Sequence, residues 1–174
     1  MATFDIPQGL RPESMEWGTA KRAIQSSGMF AASTQSIEFP GERWLLSLSY
    51  PPRMDMHAGE AEAFWSRLAG GVDKVRVWHY KRPLPVGSMR GSPSLAATAS
   101  RGQQVVQIAT TGDLKAGDLF RVGNQLMQCF QDCEPVAGVL TVPLVHRVRA
   151  TISAGSPVEY ERPFAIFHVP AITN

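Results

Sequence analysis

The sequence predicts a mainly β protein: a β-sandwich with one flanking α-helix and a small inserted β subdomain. Three observations carry that expectation. Arg43 to Tyr50 alternates, with Trp44, Leu46, Leu48 and Tyr50 on one face and Arg43, Leu45, Ser47 and Ser49 on the other. That is the period of a half-buried strand. One stretch has a helical period, because Ala61, Phe64, Trp65 and Leu68 fall at i, i+3, i+4 and i+7 and form a single apolar stripe. Elsewhere the chain breaks into short β-like runs punctuated by Gly, Pro and Asn, the pattern of sandwiches and barrels.

Taken in order, residues 1 to 18 carry Pro7, Gly9 and Pro12 without a sustained period, which predicts an extended arm with one short strand. A strand begins around Trp17, a loop or edge strand covers Ser26 to Gln35, and a short strand runs from Gln35 to Phe39 into a Pro40-Gly41 turn. Pro51-Pro52 stops the strand that follows, since neither residue donates to a ladder. The helix is expected at about 56–69, with Asp55 as N-cap and Gly70-Gly71 as its stop. Asp73 to Tyr80 alternates again, with Val75, Val77 and His79 on one face and Lys74, Arg76, Trp78 and Tyr80 on the other. Large residues on both faces predict a strand covered on both sides.

Lys81 to Ala99 carries prolines and glycines that break regular structure, which makes it a boundary or crossover loop. A second β-rich block follows. Gln103 to Thr110 reads as a strand, Leu114 to Gly117 as a turn, and Gly123-Asn124 as a reversal between Asp118–Val122 and Gln125–Gln131. Gly138 to Val142 and Arg147 to Ile152 continue in β character, and Val158 to Val169 is a long strand pattern interrupted at Pro163. The expected organisation is a sandwich from 1–92 completed by 156–174, with 93–155 inserted.

Composition narrows the function classes. A net charge of +2 gives no case for nucleic-acid specificity. No apolar run approaches the ~20 residues that span a bilayer, and the first residues lack the basic and apolar regions of a signal peptide. Two cysteines, Cys129 and Cys133, fit a reducing compartment. A cytoplasmic site of synthesis is the expectation.

Residues that carry chemistry in other proteins do not assemble into a site here. Cys-x-x-x-Cys is an unusual zinc pairing, and on a straight strand two such side chains stand over ~10 Å apart. Structural thiols are therefore the expectation, with no metal and no cofactor. His57, His79, His146 and His168 lie on different elements, and no G-x-S-x-G elbow or phosphate loop is present. Asp118 reads as a turn residue, and Glu60 and Glu62 as the solvated helix face. Trp44 and Trp65 read as core. Trp78 does not, because it alternates with Arg76 and Tyr80, a residue mix that protein interfaces favour. With Arg82 and Arg90 in the loop that follows, Trp78, Tyr80 and Arg76 form the candidate interface set, and no catalytic residues are expected.

The order of these pieces resembles one protein family. Gly41-Glu42-Arg43-Trp44 opens a strand, Pro51-Pro52 ends it, and an Ala/Glu-rich helix with aromatics closes in Leu68-Ala69-Gly70. Leu114-Lys115-Ala116-Gly117-Asp118 then precedes a strand, and Pro163 to Val169 closes the chain. From Gln35 to Val169 this is similar to the distal tail proteins of long-tailed bacteriophages and of phage-like gene transfer particles. The resemblance implies a tail-tube-like β-sandwich and a non-enzymatic ring protein, usually a hexamer, joining the tail tube protein to the tail hub and host-recognition proteins. It implies assembly in the bacterial host cytoplasm and residence at the virion tail tip, without membrane insertion. The chain is short for that family, so a separate receptor-binding domain is not expected, and it lacks the cysteines of relatives that hold an iron–sulfur cluster. Another tail component, such as a tube subunit or terminator, stands as the nearest alternative, and a glycan-binding domain or small cell-wall hydrolase as a more distant one.

Overall fold

The structure is a computed structural model that describes residues 2–27, 34–51, 57–69 and 71–169. The expected Asp55 cap, the second proline of the corner and Gly70 lie outside the described residues. The described residues are mainly β with one helix. In order, its elements are β1 (Thr3–Asp5), β2 (Ser14–Ser27), β3 (Thr34–Ser49), α1 (His57–Leu68), β4 (Lys74–Trp78), β5 (Ser94–Leu95), β6 (Val105–Ala109), β7 (Leu119–Val122), β8 (Gln125–Gln128), β9 (Val139–Pro143), β10 (Val158–Glu159) and β11 (Phe164–His168).

Four sheets result. Strand β4 is central in the sheet β1-β4-β11, where β1 runs parallel to it and β11 antiparallel. β2 and β3 form a long antiparallel hairpin, and the orders β5-β6-β9 and β10-β7-β8 complete the set. The hairpin lies over the first sheet as a second layer. Trp17 and Leu46 from the hairpin, Val75 and Val77 from β4, and Phe167 from β11 share one apolar cluster. Helix α1 adds Phe64, Trp65 and the fully buried Leu68 to it, as the apolar stripe predicts. It bridges the two layers, with Trp65 5.5 Å from Tyr50 and the Arg67 guanidinium 4.5 Å over Phe4.

Pro40-Gly41 does not turn the chain, contrary to expectation. β3 runs straight through it, and the irregularity is a bulge: Ala20 pairs with Arg43 and Arg22 with Phe39, so Lys21 alone stands against Pro40, Gly41 and Glu42. A bulge accommodates both residues, because its unpaired positions need no proline N–H and Gly41 adopts φ 139°. Beyond it, Glu42 continues the inward parity of Trp44, Leu46 and Leu48 and is buried.

The tightest packing lies in the second β block. Phe120, Leu114, Ile108, Leu140, Val122 and Val142 are fully buried in one cluster. Met89 and Val158, on either side of the 93–155 segment, pack in the same cluster. The interrupted strand expected from Val158 to Val169 does not return whole to the first sheet, because its halves part at Pro163. β10 pairs with β7, and only β11 returns to β4. Arg147 to Ile152 is not a strand, since its one ladder contact is the isolated bridge of Ile152 to Ala99. A third cluster, of Leu119, Leu126 and Ala165 with Trp17, Trp44 and Phe167, joins the two blocks.

The Pro/Gly-rich loop after β4 is irregular but pinned. Asp118 is buried, and its Oδ1 accepts the Val86 N–H at 2.8 Å. Its Oδ2 accepts from Gly87 at 2.9 Å and from Lys115 at 2.8 Å. The aspartate of Leu-Lys-Ala-Gly-Asp thus closes its own turn and clamps a loop about thirty residues upstream. Close approach explains Gly87 and Gly112 nearby: a Cβ on Gly87 would meet the Asp113 carbonyl oxygen at 2.3 Å, and one on Gly112 would meet the Met89 Cα at 2.5 Å. Asp113 accepts from the Ser88 N–H and hydroxyl and pairs with Lys115 at 2.9 Å. These bonds hold its carboxyl far below the usual carboxylate range, the Ser88 hydroxyl contributing most.

Candidate functional site

Strand alternation places Arg76 and Trp78 on the face of β4 opposite the core, whereas Tyr80, expected on that same face, also packs against the first core cluster because the strand ends at Trp78. Tyr80 lies just past the strand, with ring centroids 4.4 Å from Trp78. The N-terminal arm passes beside this pair, so that Ile6, Pro7, Arg11 and Pro12 face Trp78 and Tyr80 across a groove of about 590 Å³. Arg162 forms the far wall. Its backbone is left-handed, at φ 47°, a strained conformation for a residue with a Cβ. Its N–H donates to the Pro83 carbonyl at 2.6 Å, and its guanidinium stands 5.3 Å over the Trp78 ring. Burial pushes the Tyr80 hydroxyl above its ordinary pKa, with Arg11 opposing. This groove is aromatic at its base and cationic at its rim.

The other three residues of the candidate interface set lie elsewhere. Arg76 turns toward β1 and β11, 3.6 Å from Asp5 and 5.6 Å over Phe164. Arg82 lies past the turn after β4 and donates to the Gly117 carbonyl at 3.3 Å, beside a separate cavity. Arg90 binds its own loop, donating to the Gly87 and Met89 carbonyls at 3.0 and 2.6 Å. Sequence reasoning missed Arg11 and Arg162. The one available signal was Pro163, which restricts the backbone of the residue before it.

A second, larger groove runs between the hairpin and the first sheet. It measures about 790 Å³ and is lined by Trp17, Leu46, Leu48, Trp65, Val75 and Phe167. Consecutive residues Leu45 to Leu48 and Phe167 to Val169 border it, so it follows strand edges as well as strand faces. Among the described residues, β2 and β3 pair only with each other, and β11 only with β4. Leu45, 48% exposed, stands at the rim.

The titratable residues fall into structural pairs. His146 Nδ1 lies 2.7 Å from Glu42 Oε2, both buried, and Trp44 meets the imidazole edge-on at 4.6 Å. Arg149 donates to the Glu42 carbonyl at 2.7 Å. These contacts dock the β3 bulge onto the second block. Cys129 and Cys133 correct the expectation of distant thiols: β8 ends at Gln128, the chain bends, and the Sγ atoms stand 3.6 Å apart. Both lie near the Gln131 carbonyl, at 2.9 and 3.0 Å. Burial pushes the Cys129 thiol up to about 12 and raises that of Cys133. Among the described residues, no group of three or more His, Cys, Asp or Glu is placed to hold a metal ion. No described helix is long and apolar enough to cross a membrane.

No family model matches the chain, and no curated protein matches it.

Proposed function

We propose that the protein is a non-enzymatic structural subunit of a bacteriophage tail tip or baseplate. In this reading it forms a homohexameric ring that connects the tail tube to the tail hub and host-recognition proteins. The order of sequence motifs from Gln35 to Val169 supports the family, and one structural observation supports an assembling role. The hairpin of 14 and 16 residues pairs with no other strand among the described residues, and an apolar groove lies between it and the sheet below. A two-stranded ribbon is marginal alone, and open edges beside apolar surface invite another strand. A neighbouring copy that supplies this cover around a closed ring is a heterologous interface, presented twice by each subunit. The Trp78–Tyr80 groove, with Arg11 and Arg162, offers a second contact surface of the aromatic and arginine composition that interfaces favour.

Sedimentation velocity and negative-stain electron microscopy of the purified chain test the proposal. Closed rings are the expected result, and Leu45→Lys at the groove rim is expected to release monomers with an unchanged far-ultraviolet spectrum. A wild-type protein that stays monomeric and binds peptidoglycan overturns it. That outcome favours a glycan-binding module, for which the Trp78–Tyr80 groove is the specific observation.

A further inference from the structure

We propose that Cys129 and Cys133 are a reversible redox staple, a dithiol in a reducing compartment that a small-molecule disulfide converts into an intramolecular disulfide. Both thiols are free, and the bend after β8 brings their Sγ atoms to 3.6 Å. Side-chain rotation that moves the sulfurs about 1.5 Å closer closes an S–S bond of the usual ~2.05 Å. The pair sits at a junction of the second block. Cys133 exchanges backbone hydrogen bonds with Leu114 at 2.9 and 3.2 Å, and Cys129 donates to the Asp118 carbonyl and accepts from the Gly117 N–H, both at 2.9 Å. The two cysteines thus hold opposite ends of the 114–118 turn. A bond between them fixes the frame in which Asp118 grips the Val86 and Gly87 amides.

The surroundings order the two steps. Cys133 is 6% exposed and Cys129 1%, while Phe130, Gln131 and Asp132 between them are exposed. Burial raises both thiols, and the hydrogen bond between the sulfurs raises Cys129 further while opposing the rise at Cys133. Cys133 is therefore the entry thiol. On local opening of the exposed segment it gives its proton to solvent and attacks one sulfur of the oxidant. A mixed disulfide forms, the S–S bond of the oxidant breaks, and one thiolate leaves. Cys129 then attacks the Cys133 sulfur, expels the second thiolate and gives up its own proton. The protein loses two hydrogens, and one oxidant disulfide becomes two thiols. The step waits on opening, so it takes hours in the folded protein, as uncatalysed thiol–disulfide exchange commonly does.

The test is equilibration of the wild-type chain in buffers of graded reduced and oxidised glutathione, approached from both the dithiol and the disulfide. Acid quenching, alkylation and mass spectrometry then count the species, in native buffer and in urea. A single two-electron transition is expected, from a doubly alkylated protein to one that is two hydrogens lighter and takes no label. The equilibrium constant for closure should be about tenfold or more larger in the folded protein than in urea, since unstrained closure of a loop of about five residues favours the folded disulfide by about thirtyfold. By linkage the oxidised protein melts above the reduced one, and its Gly117 and Cys133 amides exchange more slowly. Cys129→Ser is expected to accumulate the glutathione adduct on Cys133, and Cys133→Ser to stay unmodified. A dithiol that persists at equilibrium from both directions, a glutathione adduct as the main wild-type product, or a closure constant no larger than in urea overturns the proposal. An adduct on Cys133→Ser but not on Cys129→Ser overturns the order of attack.

Discussion

Asp118→Ala is expected to be among the most damaging single changes outside the apolar core. Its carboxylate accepts three backbone N–H groups, those of Val86, Gly87 and Lys115. Hydrogen bonds to a charged acceptor contribute about 1.5–3 kcal/mol each when buried, and less where water takes the vacated place. The Gly87 bond is buried and the other two are partly so. The expected loss is about 3–5 kcal/mol, a large share of the ~5–15 kcal/mol that stabilises an ordinary domain. In urea, at a slope near 2–3 kcal/mol/M, the midpoint falls by about 1–2 M. Asp118→Asn keeps the volume and one acceptor oxygen but turns an NH₂ toward a donor, so about half that loss is expected. Hydrogen exchange gives the local readout: the amides of Val86, Gly87 and Lys115 lose protection ahead of β6 and β9. An Asp118→Ala protein within about 0.5 kcal/mol of wild type would falsify the clamp, since that is the range of neutral surface substitutions.

Three further outcomes are expected. Cys129 and Cys133 should resist a thiol reagent at pH 8 in the folded protein and react together on unfolding, because burial raises both thiols and Cys129, at about 12, is about one part in ten thousand thiolate there; stoichiometric reaction within minutes in native buffer contradicts this. Trp65→Ala should cost about 2–3 kcal/mol by chemical denaturation, below the 3–5 of a fully buried aromatic, because the ring is half-buried beside the large groove; a cost of 5 would mean that the groove is filled. The depressed pKa of Asp113 means that its contribution is present above its ordinary value of 3.8 and is lost as pH falls toward the folded value. Below about pH 4, Asp113→Asn protein should therefore show a shallower decline in melting temperature than wild type, and parallel curves would rule out this linkage.

Local periodicity made much of the architecture legible. The alternation from Arg43 to Tyr50, the stripe from Ala61 to Leu68 and the Gly123-Asn124 reversal all stand as β3, α1 and the β7–β8 hairpin. Non-local relations were not legible. Pro40-Gly41 has the same composition in a bulge as in a turn, and only the register against β2 distinguishes them. The thiols of Cys129 and Cys133 meet because β8 stops at Gln128, which no spacing rule announces. The strand–proline–helix unit has the boldest pattern, yet the tightest core is in the second block, whose strands are too short to show long periods. Of the candidate site, Trp78 and Tyr80 were found from their alternation with Arg76. Arg162 and Arg11 were not, since they meet those rings only through the return of β11 and the path of the arm.

The central position of β4 also bears on the order in which the molecule forms. Its antiparallel partner is β11, with Trp78 opposite Phe164, so the first sheet cannot close until Phe164–His168 has been synthesised. The second block waits less, for β7 and β8 form a local hairpin and β6 pairs with β9, Val105 opposite Pro143, over a much shorter separation than that of β4 and β11, and contacts closer in sequence form sooner. On the ribosome, the hairpin and β4 emerge before β11 and stay unpaired with it while the later block compacts behind them. Until β11 arrives, β4 offers a hydrophobic edge to any strand nearby, including that of another nascent chain. Strand β11 thus works as a latch, and it sets how long the earlier strands remain open to a wrong partner.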